Sequence, residues 1–169
     1  ISALLIIINQ RSLINIPLIL FGLALGSLIP DIDHLIFWLY RSPGLSESQQ
    51  AQNFWHSRQY RQLLSLLKTN TSSHDNLIFH HFFGHSIITI LSFFIFSSTS
   101  GAFTQSLILA LNLHLFLDVY HDWRQRPTHL QAWLFAREPK QLSLDNLKYY
   151  VVIFFAFNLF YLGLFLFNL

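Results

Sequence analysis

Apolar residues in this chain fall in long unbroken blocks, neither alternating nor set at heptad positions, and few folds can use such blocks. The clearest are Leu13 to Ile29, Leu77 to Phe96, Phe103 to Tyr120 and Leu147 to Leu169. A bilayer core of roughly 30 Å needs about 20 apolar residues as a helix, with about 17 as the lower limit. Each block is therefore read as a membrane span, and Ile1 to Ile8 as the remnant of another. Pro30 is expected to close the helix that begins near Leu13. The expected fold is all-α: one membrane-embedded domain over residues 1–169, a polytopic bundle of about four to five transmembrane helices. The chain has no Met and opens directly on Ile1, so its natural start is expected to lie upstream.

Composition agrees with lipid as the solvent. Hydrophobic residues make up 53% of 169 and charged ones 11%, about half the charged share of an average soluble domain. With no Cys, disulfides, thiolate ligands and a cysteine nucleophile drop out. The formal charge of +2 is small and scattered, so no direct nucleic-acid binding is expected.

Lysine and arginine set the orientation. Cytoplasmic loops hold the excess of these residues, and Arg41, Arg58, Arg61, Lys68, Arg124, Arg126, Arg137 and Lys140 all fall in two loops on one side, whereas Ser97 to Ala102 has none. That side is predicted to be cytoplasmic, with Trp38, Trp55, Trp123 and Trp133 near its boundary. Within the polar stretch Arg41 to Asn76, residues Phe54, Trp55, Tyr60, Leu63, Leu64 and Leu67 are expected to line one amphipathic helix in the interface.

The remaining polar residues then gather on the same side. Asp31, Asp33 and His34 follow the second span, His80, His81 and His85 open the third, and His114 and Asp118 close the fourth. Each cluster has an ordinary explanation. Asp31 or Asp33 could cap a following helix, interface histidines pack and snorkel, and Asp118 could be held by an interhelical hydrogen bond. An ionised Asp near the bilayer costs roughly 2.5–3.5 kcal/mol on insertion scales, so Asp118 needs some partner. Shared location is what a metal predicts and separate explanations do not. Carboxylate oxygen and imidazole nitrogen suit zinc, with manganese or iron as alternatives. Helical spacing pairs His81 with His85, four apart; His80 reaches the same region only if the helix begins late.

These residues also resemble a known family. Gly26-Ser27-Leu28-Ile29-Pro30-Asp31-Ile32-Asp33-His34 is similar to the Gly-x-Leu-Leu-Pro-Asp-Ile-Asp-His signature of the YdjM-like family, described as LexA-binding, inner-membrane metal-dependent hydrolases. Its His-Arg-x-x-Thr-His-Ser motif is matched by His80 to Ser86, and its His-x-x-Leu-Asp motif by His114 to Asp118. His81 stands where the family has Arg and Gly84 where it has Thr, and the family's N-terminal Thr-His pair is not found. This alignment selects His80, not His81, as the first histidine of the second motif. The resemblance implies phosphoester hydrolysis, through a suggested distant likeness to zinc-dependent phospholipase C.

The expected function is thus a metal-dependent hydrolase of the inner membrane, acting on a phosphoester, a lipid headgroup first among them, at the cytoplasmic face. One to three divalent ions, zinc first, would be held by Asp31, Asp33, His34, His80 or His81, His85, His114 and Asp118. Asp33, His85 and Asp118 are the expected catalytic members, and Arg124 and Arg126 are candidates to grip phosphate. Membrane lipids are the expected partners, with a protein partner as a further candidate. The rival expectation is a regulatory or assembly subunit in which a closed metal site or polar cluster only ties helices together.

Overall fold

The computed structural model describes residues 15–69, 77–136 and 142–167, which are helical with no strand among them. Helix α1 (Asn15–Ile36) runs on into one π-helical turn, Phe37–Arg41. Two short helices follow, α2 (Ser46–His56) and α3 (Tyr60–Thr69), then α4 (Phe82–Ser97), α5 (Ala102–Gln125), α6 (Pro127–Leu134) and α7 (Leu144–Phe167). Asn15–Arg41, α5 and α7 are long and apolar enough to cross a membrane. Helix α4 is apolar but has 16 residues, about 24 Å at the helical rise and short of a bilayer core.

The expected count of four to five spans is therefore not reached among the described residues. Ile1 to Ile8 lies outside them. Leu77 to Phe96 begins with a turn instead of a helix, so its helical part starts at Phe82.

Pro30 does not close α1, contrary to expectation. It sits inside the helix, which continues six residues beyond it. A proline interrupts one backbone bond and crowds the carbonyl four residues back, here that of Gly26, and neighbouring elements can offset this in a membrane helix. The neighbour is α5. The buried residues of α1, Gly22, Gly26, Pro30, Asp33 and His34, form one stripe along it. A Cβ on Gly22 would meet the Ser106 hydroxyl and, at 2.5 Å, the Phe103 carbonyl; one on Gly26 would meet the Leu107 carbonyl and, at 2.9 Å, the Ala110 Cβ. The Gly-x-x-x-Gly spacing lets two backbones approach as no larger residue would. Contacts advance together along both chains, so α1 and α5 run parallel and end at the same face.

Helices α4 and α7 make a second parallel pair. The Tyr161 hydroxyl donates to the Thr89 carbonyl at 2.7 Å, and its ring stacks on Phe96 at 5.5 Å. Pro127 then starts α6 at the position where a missing N–H matters least and holds Arg126 out of helical geometry. The single amphipathic helix expected in the polar stretch is instead two, broken around Arg58, whose φ of 56° lies in the left-handed region. Leu63 and Leu66 of α3 join Phe37, Trp38, Ala51 and Leu77 in a small satellite core, while Trp55, Tyr60 and Leu64 stay exposed.

Candidate functional site

Because α1 runs past Pro30, its packed stripe carries Asp33 inward. Asp33 is buried, and its Oδ2 accepts from the backbone N–H of Ile78 at 2.5 Å and of Phe79 at 2.7 Å. Those amides belong to the turn before α4, where no helical carbonyl serves them, and a charged acceptor makes the bonds strong. The expectation that Asp33 caps a helix following it in sequence is thus corrected. It satisfies a turn 45 residues away, and this turn delays the start of α4.

The turn delivers His80 beside Asp33, with Nδ1 3.8 Å from Asp33 Oδ2, while Nε2 donates to Asp118 Oδ2 at 3.3 Å. The same Asp118 oxygen lies 3.3 Å from His114 Nε2 one helical turn back, and His114 Nε2 lies 3.8 Å from Asp31 Oδ1. Each of the three predicted clusters contributes residues to this group. Asp33 and His80 form the enclosed half; Asp118, His114 and Asp31 form a half-open rim. Burial works to lower the pKa of His80, but the hydrogen bond and charge of Asp118 and of Asp33 outweigh it and hold the imidazole above its ordinary value. His80 thus lies between two carboxylates, those of Asp33 and Asp118.

The remaining predicted residues divide. His34 is buried with its ring edge-on to His80 at 5.1 Å. His81, at the N-cap of α4, borders a separate cavity of about 320 Å³ with Phe83, Gly84 and Ile87. Between the two alternatives, the structure joins His80 to the carboxylates, and the late helix start is the reason. His85 lies one turn into α4, fully buried, its Nδ1 2.5 Å from the Tyr150 hydroxyl and its ring stacked on Phe154 at 5.0 Å. His80 and His85 flank Trp133, at 6.1 and 6.2 Å.

Arg124 is exposed and borders a cleft of about 480 Å³ shared with Asp118, Tyr120 and His121. Arg126, also a candidate phosphate grip, donates to Asp122 at 2.7 Å. Asp122 additionally accepts from His129 Nδ1 at 2.8 Å and Trp133 Nε1 at 2.9 Å, and it is buried. Neither this hub nor Tyr150 was expected from the sequence. The spacing of Asp122, Arg126, His129 and Trp133 is regular, but Pro127 hides it.

Ligands bound at about 2.0–2.2 Å around a tetrahedral ion sit about 3.4 Å from one another. The two 3.3 Å separations at Asp118 Oδ2 match that edge, and the donor types suit a divalent cation. Among the described residues, however, no group of three or more His, Asp or Glu surrounds a common point able to hold an ion. The arrangement as it stands is closed by hydrogen bonds. The chain matches no family model, no curated protein and no solved structure.

Proposed function

We propose that this chain is an inner-membrane, metal-dependent phosphoester hydrolase of the YdjM-like kind, with its site at the cytoplasmic face. The observation that carries the reading is a single carboxylate oxygen, Asp118 Oδ2, held 3.3 Å from imidazole nitrogens of two different segments. Loss of the His80 proton would leave an imidazole nitrogen and a carboxylate oxygen as two ligands around one site, with His114 as the third and Asp31 3.8 Å from it. A divalent ion bound there, zinc first, acts as a Lewis acid and can bring the pKa of a water ligand to about 7.

The chain's own residues have definite tasks in this reading. Asp33 Oδ2, 3.8 Å from His80 Nδ1, stands where an outer-sphere carboxylate would orient a ligating histidine. Half-buried Asp118 borders the cleft, where Arg124 supplies positive charge for a phosphate oxygen. Described basic residues at the same end of the bundle, Arg41, Arg58, Arg61 and Arg124, support the cytoplasmic orientation.

The test is elemental analysis of the full chain purified in detergent, beside Asp118→Ala and His114→Ala. Stoichiometric zinc, manganese or iron in the parent and its loss in both variants is the expected result. Metal-free parent protein, or metal content indifferent to both changes, rejects the reading.

A second reading has its own support. The hydrogen bonds that close the cluster also tie α1, the turn before α4 and α5 together, which is what a non-enzymatic regulatory or assembly subunit would need. It predicts a lower unfolding temperature for Asp118→Ala, and any metal bound there would be closed by protein ligands with no water among them.

A further inference from the structure

Helix α1 with its π-helical turn is 27 residues long, about 40 Å by helical rise. That is the thickness of a bilayer with its headgroups, well beyond the hydrocarbon core alone. The last turn, Phe37–Arg41, therefore stands at headgroup level. Phe37 and Trp38 of that turn pack with Leu63 and Leu66 of α3, and Gln52 of α2 donates to the Trp38 carbonyl at 3.3 Å. These contacts pin α2 and α3 to the end of the span, at the same level.

The two flanks of α3 beside its buried stripe differ. Leu63 and Leu66 are buried and Leu67 is half-buried. At 3.6 residues per turn, one flank carries Tyr60 and Leu64 and then Arg61, whereas the other carries Gln62. Tyr60 and Leu64 are 52% and 58% exposed. Trp55 of α2 extends their flank, its exposed ring edge-on to Tyr60 at 6.1 Å. At the bend between these two rings is Arg58, also exposed, in the left-handed region where glycine is the least strained choice. Among the described residues neither Arg58 nor Arg61 has an ion-pair partner. Residues 41–69 carry Arg41, Arg58, Arg61 and Lys68 against a single acid, Glu47.

We propose that this flank is a docking surface for acidic phospholipid of the bilayer the chain spans. Arg58 and Arg61 take the headgroup phosphates, and Trp55, Tyr60 and Leu64 reach into the acyl boundary. Aromatic rings beside guanidinium groups at headgroup level have the chemistry of an interfacial anchor. Unopposed positive charge selects a leaflet of net negative charge over a zwitterionic one, each basic residue contributing roughly fivefold. The surface lies outside the Asp118 cluster, so the proposal goes beyond the hydrolase reading and holds with or without a metal.

The experiment uses the full chain in vesicles of equal phosphatidylglycerol and phosphatidylcholine, with the acyl chains of one or the other brominated. Bromine quenches tryptophan on contact, and the Trp55 share is the difference between the parent and Trp55→Phe. Quenching of Trp55 by brominated phosphatidylglycerol is expected to exceed that by brominated phosphatidylcholine several-fold. The excess should vanish when Arg58→Gln and Arg61→Gln are combined. Equal quenching by the two lipids in the parent overturns the proposal, as does a preference that survives loss of both arginines. A second measurement tests the face itself. The chain has no cysteine, so Leu64→Cys and Gln62→Cys each accept a single nitroxide. In the same vesicles the label at 64 is expected to show a several-fold higher ratio of collisions with oxygen to collisions with a water-soluble nickel chelate than the label at 62. Equal ratios overturn the proposal, and so does a label at 64 shielded from both reagents, which would mean that a protein covers the flank. Metal content of the same samples tests the hydrolase reading separately.

Discussion

Asp118 and Asp122 stand one helical turn apart on α5 and have opposite fates. Asp122 is buried and takes three donors, a guanidinium, an indole N–H and an imidazole, two of them unable to give up their protons near neutral pH. Asp118 is 36% exposed at the side chain and meets only imidazoles, at 3.3 Å each. A carboxylate surrounded by permanent donors is a fixed structural joint. One surrounded by titratable nitrogens can exchange its protons for something else. Burial alone does not separate the two roles; the identity of the partners does.

The largest effect should come from the joint. Asp122→Ala leaves Arg126, His129 and Trp133 without their common acceptor and is expected to destabilise by about 3–5 kcal/mol, the usual cost of breaking a buried pair, read as a fall in unfolding temperature in detergent. Asp118→Asn should cost only about 1 kcal/mol by the same assay yet abolish metal binding by elemental analysis. If Asp118→Asn destabilised as much as Asp122→Ala and left metal content unmoved, the contrast would collapse.

The pH dependence sharpens the comparison because its two halves have opposite sign. The folded-state pKa of His80 is raised, so its ion pairs stabilise the metal-free chain fully below the unfolded value of about 6.5 and are lost as pH climbs through the folded value. A cation must displace that same proton, so metal affinity should rise over the window in which metal-free stability falls. Affinity measured by metal titration that ignores pH from 6 to 8 would contradict the placement of His80. The smallest effect belongs to the rim: Arg124→Ala is expected to shift stability by less than about 0.5 kcal/mol and, if the hydrolase reading holds, to raise KM for an anionic substrate with little change in kcat.

Much of this was legible in the residues, because a charged group near a bilayer has few places to go. The all-helical character followed from the apolar blocks, and the gathering of Asp31, Asp33, His80, His114 and Asp118 at one face followed from lysine and arginine placement. What escaped was decided by contacts distant in sequence. Pro30 reads locally as a stop, but the packing of Gly22 and Gly26 on α5 carries the helix through it. Helical spacing favoured His81 over His80 only because Asp33's claim on the amides of Ile78 and Phe79 was invisible. Tyr150 looked like one more aromatic in a run of them, and its hydroxyl acquires meaning only once α4 and α7 lie side by side.

The glycine seam between α1 and α5 also constrains how the molecule can move. With backbone against backbone, neither helix can roll or creep by a small amount, since the next comfortable register is a whole ridge away. Asp31 and His114 thus travel as one stiff jaw. The other pair, α4 with α7, meets it through the Phe116 ring and one buried hydrogen bond from Asn112 to the Ser92 hydroxyl, a looser seam than backbone against backbone.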